Sequence, residues 1–230
     1  KNGLVERRKN SRVPNGTLRE AARDIVDGAR PERDLATSLF AMRGAMHSMN
    51  SFGITSVYDV WVGKLEMSIY KALDDADELS VYVFGALIDE GIYQKASCAE
   101  LDQRVDDRHQ FESDRIRFGA VKIMVDGVIE GETAALTEPY ETTGTLGQLY
   151  HSPQLLRDRV ARYYDQGMQL HFHTMGDRAA RAALDALESV RASGDPKLKD
   201  ERHALSHLAQ VHPDDYARFA QQNAAASFTL

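Results

Sequence analysis

With 230 residues, 43% of them hydrophobic and 27% charged, the chain has the make-up of an ordinary globular domain or of part of a larger one. A formal net charge of −7 argues against a general nucleic-acid binder, which carries a basic stripe, and no apolar run approaches the roughly 20 residues of a membrane helix. The lone cysteine, Cys98, excludes an intrachain disulfide and leans toward the cytoplasm.

Lys1 to Val13 is polar and basic, without the apolar core of a signal segment, and the start reads as cut from something longer. Thr17 followed by Glu20 has capping-box spacing and predicts a helix over Leu18 to Asp27, ended by Gly28. Leu35, Leu39, Met42, Met46 and Met49 recur at helical spacing and predict a second helix over Asp34 to Asn50. Residues 1–52 thus read as a helical lead-in, and residues 53–230 as the body of the domain.

Gly53 is followed by the β-branched and aromatic run Ile54 to Val60, a predicted strand. A helix over Lys64 to Ala76 and a strand over Ser80 to Leu87 come next. Asp89 to Arg115 is acidic and poorly patterned. Ala120 to Asp126 is the third strand, closed by Gly127, and Gly131 to Gln148 reads as a long loop, a length that tends to be functional. Ser152-Pro153 opens a helix that ends at Gly167. The strand Met168 to His173, a helix over Asp177 to Ala192, the strand His203 to His207, a helix from Pro213 to about Asn223 and a last strand from Ala225 to Leu230 complete the chain.

Strands alternating with helices predict a parallel α/β arrangement, either an open doubly wound sheet or a closed barrel. No glycine-rich phosphate loop follows a strand, which weakens the nucleotide-binding forms. In barrels the chemistry sits at the carboxyl ends of strands. Polar residues gather there: Asp59, Lys122 with Asp126, His173 and His207.

One strand-end histidine more often makes a loop hydrogen bond than binds a metal. Two on consecutive strands can share one ion, and neutral imidazole is the commonest ligand. Lys122 stands inside the apolar run Ala120 to Met124, where burying an ammonium is costly. A salt bridge is one solution; carbamylation by carbon dioxide, which creates an anionic oxygen ligand, is another. His171 and His173 share one face of their strand. His173 is the expected ligand, with His171 pointing inward one layer below as a packing or supporting residue. Asp177, just past His173, is a candidate to orient that histidine or the loop that follows.

Several stretches resemble the amidohydrolase superfamily, in the YtcJ-like branch that includes N-substituted formamide deformylase. They are Gly53-Ile54-Thr55-Ser56-Val57, Val121-Lys122-Ile123-Met124-Val125-Asp126-Gly127, Thr133-Ala134-Ala135-Leu136, Pro139-Tyr140, His173-Thr174-Met175-Gly176-Asp177-Arg178-Ala179 and Leu205-Ser206-His207-Leu208-Ala209-Gln210. The resemblance implies an α/β fold of the (β/α)8 TIM-barrel type, with about strands 2 to 7 in this chain. It implies metal ligands at Lys122 (strand 4), His173 (strand 5) and His207 (strand 6), for one or two divalent ions, zinc being expected. The His-x-His pair of strand 1 and the general-base aspartate of strand 8 are expected outside this chain. Related sequences commonly carry an acid where Ser206 stands.

The resulting expectation is a metal-dependent hydrolase that cleaves a carbon–nitrogen bond, amide or formamide, through metal-activated water. Its partner is a small-molecule substrate, with no nucleic acid and no membrane; a homo-oligomer is compatible with the sequence. Asp126, His171 and Asp177 support the metal or line the pocket, as does the Gly131 to Tyr140 loop, and the chain alone is expected to be inactive. Two rivals stand beside this reading. One is a barrel without catalytic function that acts as a regulatory or interaction module. The other is an open α/β sheet that binds a small molecule without metal.

Overall fold

A computed structural model describes residues 4–31, 34–89, 98–191 and 202–228. Its centre is a six-stranded, curled, all-parallel sheet whose strands lie in chain order: β3 (Ser56–Val62), β4 (Tyr82–Ile88), β5 (Ile116–Met124), β6 (Gln169–Thr174), β7 (Ala204–His207) and β8 (Ala225–Phe228). Helices fall between them: α3 (Lys64–Asp75), α4 (Cys98–Asp107), α5 (Pro153–Asp165), α6 (Asp177–Arg191) and the short α7 (Tyr216–Gln221). Ahead of the sheet lie α1 (Asp24–Asp27) and α2 (Leu35–Ser51). Among the described residues no helix is long and apolar enough to cross a membrane.

The lead-in departs from its sequence reading. Leu4–Arg7 (β1) and Pro14–Arg19 (β2) pair antiparallel, so Thr17 lies in a strand and caps no helix. The Glu6 carboxylate, bonded to Asn15 and Arg19 across the pair, holds this ribbon together. Helical structure begins only with a short 3-10 turn at Glu20–Arg23. The second predicted helix forms as expected, with the Asp34 carboxylate accepting the Thr37 N–H at its start. Met46 is the buried residue of α2, with Leu39, Met42 and Met49 packed beside it.

The acidic stretch contains α4, which docks through Leu101 and Val105; the rest of its predicted span at 90–97 lies outside the described residues, as does the end of the sixth predicted strand. α5 has the predicted start: Pro153 in the first turn and the Ser152 hydroxyl accepting the Leu155 N–H. Gly167 follows with φ +71°, the left-handed value that glycine adopts without a Cβ penalty.

Alternation along the strands gives the sheet two faces. Leu87, Val121, Ile123, Leu170, Phe172 and Leu205 are buried on the helix side, in one core with Leu156, Val160, Leu184 and Leu187. The opposite face carries Ala86, Ile88, Ala120, Lys122, His171, His173 and Ser206, so polar groups collect on the concave side.

Past β5 the chain leaves regular structure until α5, and this long loop is fastened rather than loose. Ala135 bonds through its carbonyl to the Arg178 N–H, and the Arg178 guanidinium reaches the carbonyls of Leu146 and Gly147. Ala134 and Ala135 are fully buried. A Cβ on Gly176 would stand 2.0 Å from the Ala135 carbonyl oxygen.

That contact makes a test. Gly176→Ala in the full-length protein forces backbone apart and should destabilise it by about 1–3 kcal/mol, the usual cost of overpacking. Gly28→Ala, where nothing lies within 4 Å and the backbone is right-handed, should be neutral within about 0.5 kcal/mol. Equal urea midpoints for the two variants would show that the loop yields freely.

Candidate metal centre

The parallel register sets the rows of the concave face. Lys122 pairs with His171, and His171 with Ala204; one step further along, Met124 pairs with His173, and His173 with Ser206. His173 therefore stands at the carboxyl rim and His171 one layer below it, as the His-x-His spacing predicted.

His207 does not follow the alternation. It pairs with Thr174, on the helix-facing side, so a regular strand would direct its ring away from His173. Instead His207 and Leu208 have φ of +78° and +50°. Two consecutive non-glycine residues in the left-handed region are uncommon and cost of order 1–3 kcal/mol each. The break turns the imidazole onto the concave side, where its ring centre lies 4.5 Å from that of His173. The Leu208 N–H donates to the Thr174 carbonyl and the Gln210 N–H to the Met175 carbonyl, which holds the turn.

Burial, followed by the charges of His173 and Lys122, pushes His207 down to about 4, against the opposing pull of Asp126. Its ring is therefore neutral near pH 7, the form that binds a metal. His171 is pushed down further, to about 3, by burial first and then by Lys122, His207 and His173. Its Nδ1 is hydrogen-bonded to the Tyr58 hydroxyl at 3.1 Å, while Nε2 is buried with no hydrogen-bond partner among the described residues. Burial holds the Tyr58 phenol up at about 12, so it remains protonated.

Lys122 is 3% exposed and forms no salt bridge among the described residues. Its Nζ lies 2.9 Å from Ser206 Oγ, whose own proton goes to the Phe172 carbonyl at 2.8 Å. Desolvation pulls the amine down to about 7. Burial thus favours the uncharged amine, which is held by a hydroxyl rather than by a carboxylate.

Asp126 is fully buried beyond the end of β5. Its Oδ1 takes His173 Nδ1 at 3.2 Å and the Met175 N–H at 2.9 Å; its Oδ2 takes the N–H groups of Ala135 and Gly176 at 2.9 and 2.8 Å. Asp177, the residue expected to orient His173 or the loop that follows it, contacts the earlier loop after β5 instead. It accepts the Thr137 N–H at 2.9 Å and the Thr137 hydroxyl, pinning the Gly131 to Tyr140 segment. Asp59, grouped with the strand-end cluster in the sequence, stands apart from it. It faces α3 and accepts from the Tyr70 hydroxyl at 2.8 Å and the Trp61 N–H at 2.9 Å.

Sequence reasoning missed three features: Tyr58 as the partner of His171, Ser206 as the partner of Lys122, and the turned end of β7. Alternation along β3 could have found Tyr58. Nothing in Leu205-Ser206-His207-Leu208 signals a left-handed break, since no glycine marks it.

The donor set suits a divalent ion in part. The imidazoles of His173 and His207 meet at the rim beside a lysine whose burial favours the uncharged amine. Among the described residues, no three His, Cys, Asp or Glu side chains form a group able to hold a metal.

Comparison with known proteins identifies the family and the fold. The sequence profile of the amidohydrolase family matches residues 1–230. The exoenzymes regulatory protein AepA of Pectobacterium carotovorum subsp. carotovorum is 25% identical over 217 residues, which is 93% of this chain and 44% of that protein. The N-substituted formamide deformylase of Arthrobacter pascens, from the branch that the motifs resemble, is 26% identical over 215 residues, 90% of this chain and 39% of that protein. A crystal structure of an uncharacterized metal-dependent hydrolase from Pyrococcus furiosus shares the fold, with a TM-score of 0.70 at 23% identity over 90% of this chain and 40% of that one. The chain spans about two fifths of the length of these two curated relatives. Since the profile match runs over its whole length, the chain belongs to the amidohydrolase family.

Proposed function

We propose that the whole protein is a metal-dependent hydrolase that cleaves a carbon–nitrogen bond in a small amide or formamide, on a closed (β/α)8 barrel to which this chain contributes the six parallel strands. The observation that carries the reading is the turned end of β7, which spends backbone strain to bring His207 against His173. His173 and His207 would each offer a ring nitrogen to a divalent ion, zinc in the simplest case, and Lys122 would offer a carbamate oxygen. The remaining ligands and a general-base aspartate would come from outside this chain. When bound, the ion lowers the pKa of a water toward 7 and polarises the substrate carbonyl.

The work of this chain's residues follows from their surroundings. Neutral Lys122 Nζ can attack carbon dioxide: a carbon–nitrogen bond forms as one carbon–oxygen π bond opens, one proton passes from the nitrogen to water, and the product carries the negative charge on oxygen. Ser206 Oγ holds Nζ in place for that step. Asp126 and Asp177 fasten the segment between β5 and α5 beside the rim, where it would wall the substrate pocket. His171 is left out of the proposed ligand set because it lies one layer below His173, with its Nδ1 engaged by the Tyr58 hydroxyl.

The name of the Pectobacterium relative favours a second reading, a regulatory barrel that does not turn over substrate. The full-length protein separates the two. Hydrolase function predicts bound metal and turnover of simple N-formyl or N-acyl amines. His173→Gln and His207→Gln should each lose most of the metal and the activity, whereas His171→Gln should keep the metal largely intact. Equal metal loss in the His171 and His173 variants would refute the layer assignment, and a metal-free, inactive wild type would favour the regulatory reading.

Carbamylation adds a pH test with a definite sign. Only the unprotonated amine has a lone pair, and Lys122 is unprotonated above about pH 7. Metal-free protein given 13C-labelled bicarbonate should show a carbamate carbon signal that is strong at pH 8, fades below pH 7 and is absent in Lys122→Met. A signal unchanged in Lys122→Met would place the chemistry elsewhere.

A further inference from the structure

We infer that the amino-terminal end of the sheet, opposite the metal rim, holds a second binding site, for a small carboxylate that carries a flat apolar body. Arg117 is the residue that binds the carboxylate. The inference stands apart from the metal-centre reading, since it uses none of those residues.

A cavity of about 250 Å3 opens there, between the starts of β4, β5 and β6 and the short turn Arg108–Gln110 that leads into β5. Phe84, Phe118 and Met168 supply apolar wall, and Arg108, Glu112 and Arg117 supply charge. Arg117 is the register partner of Phe84. Just beyond that pair the register shifts, so that Gly85 alone stands opposite Phe118 and Gly119 before Ala86 meets Ala120. An extra residue of this kind re-aims the side chains around it. The Phe84 ring lies edge-on to Tyr58, with centres 5.2 Å apart. A Cβ on Gly119 would stand 2.7 Å from that ring and 3.6 Å from Arg117 Nε. Phe84 and Arg117 therefore lie side by side over the bare backbone of Gly119.

The charges in the lining are not balanced by one another. Glu112 is already engaged: its Oε1 accepts the Phe118 N–H at 2.9 Å, and its Oε2 holds His109 Nδ1 at 2.7 Å. The Arg108 guanidinium donates to the Val105 carbonyl of the preceding helix. Arg117 forms no hydrogen bond or ion pair among the described residues. A guanidinium presents its donors as a planar fork that fits a carboxylate through two parallel hydrogen bonds. Apolar wall beside a single charged group is the make-up of a site for a small organic ligand rather than for an inorganic ion. Inorganic phosphate would satisfy the fork and leave the rings with nothing to cover.

The test is a titration of the metal-free, full-length protein with para-fluorobenzoate, followed by 19F NMR. The wild type should bind the probe saturably. Arg117 is exposed, so Arg117→Met should keep its urea midpoint. It should weaken binding about 10–100-fold, the loss expected when a hydrogen bond to a charged group is removed. A folded His207→Gln, altered at the other end of the sheet, should bind the probe as the wild type does. Para-fluorobenzyl alcohol, which has no charge, should bind the wild type at least about tenfold more weakly than the carboxylate, and this comparison decides alone if Arg117→Met does not fold. Undiminished binding to Arg117→Met overturns the inference. So does binding that is lost in His207→Gln, which would place the probe at the rim. Displacement of the probe by an equal concentration of inorganic phosphate would overturn the assignment to an apolar carboxylate.

Discussion

A parallel ladder without a slip across β5, β6 and β7 places Lys122 beside His171, and His173 between Met124 and Ser206. The side-chain period of a strand is two, so a one-residue shift in any of these pairings would send an entire row to the helix-facing side. The opposite face guards against that shift. Val121, Ile123, Leu170, Phe172 and Leu205 are each at most 1% exposed, and a slip would drive the polar row into their places. Each inward-facing polar group is thus held by its outward-facing apolar neighbours, and the sheet orients the site through its own core.

One member of the site is not placed by this ladder. His207 reaches the concave side because the backbone enters the left-handed region for two residues in succession. A strain of a few kcal/mol is a large share of a typical folding free energy. It persists because the surroundings fix both ends of the turn: Thr174 Oγ1 donates to the Ser206 carbonyl, the Thr174 carbonyl accepts from Leu208, and Leu208 itself is buried in the core. The carbonyl end of β6 therefore supports both histidines, His173 directly and His207 through its turn.

The sequence carried the central sheet well, and the physical reason is visible in particular residues. The runs Val121 to Val125 and Leu170 to Phe172 are continuously apolar apart from single polar residues, the pattern of strands buried on both faces. Helix signals were equally clear where capping and periodicity agreed, as at Ser152-Pro153 and along Ala183, Leu184, Leu187 and Val190. The antiparallel pair at the start was not legible. Its cohesion comes from Glu6 reaching Asn15 and Arg19, contacts that no local pattern announces, while Thr17 and Glu20 mimic a helix cap. The same limit applies in the site. Lys122, His173 and His207 are conspicuous as residue types, yet which of Asp126 and Asp177 reaches His173 depends on how residues 126–137 fold back on the turn after β6. That is a tertiary outcome, and both aspartates sit in equally suggestive motifs.

Ser206 stands where the resemblance to the amidohydrolase family leads one to expect an acid. A carboxylate at that point would lie within hydrogen-bond reach of Lys122 Nζ and would favour the ammonium, since an opposite charge stabilises the charged form. The serine hydroxyl does the reverse. Its proton is committed to the Phe172 carbonyl, and its lone pair accepts a hydrogen that a neutral amine can supply as well as an ammonium. Desolvation then decides the protonation state and shifts it toward the uncharged form. An ammonium there would repel a divalent cation and offer it no lone pair. A neutral amine can still be converted into an oxygen ligand. With serine at this position, Lys122 has a hydroxyl rather than a carboxylate beside it and is favoured in the chemical state that the proposed metal centre requires.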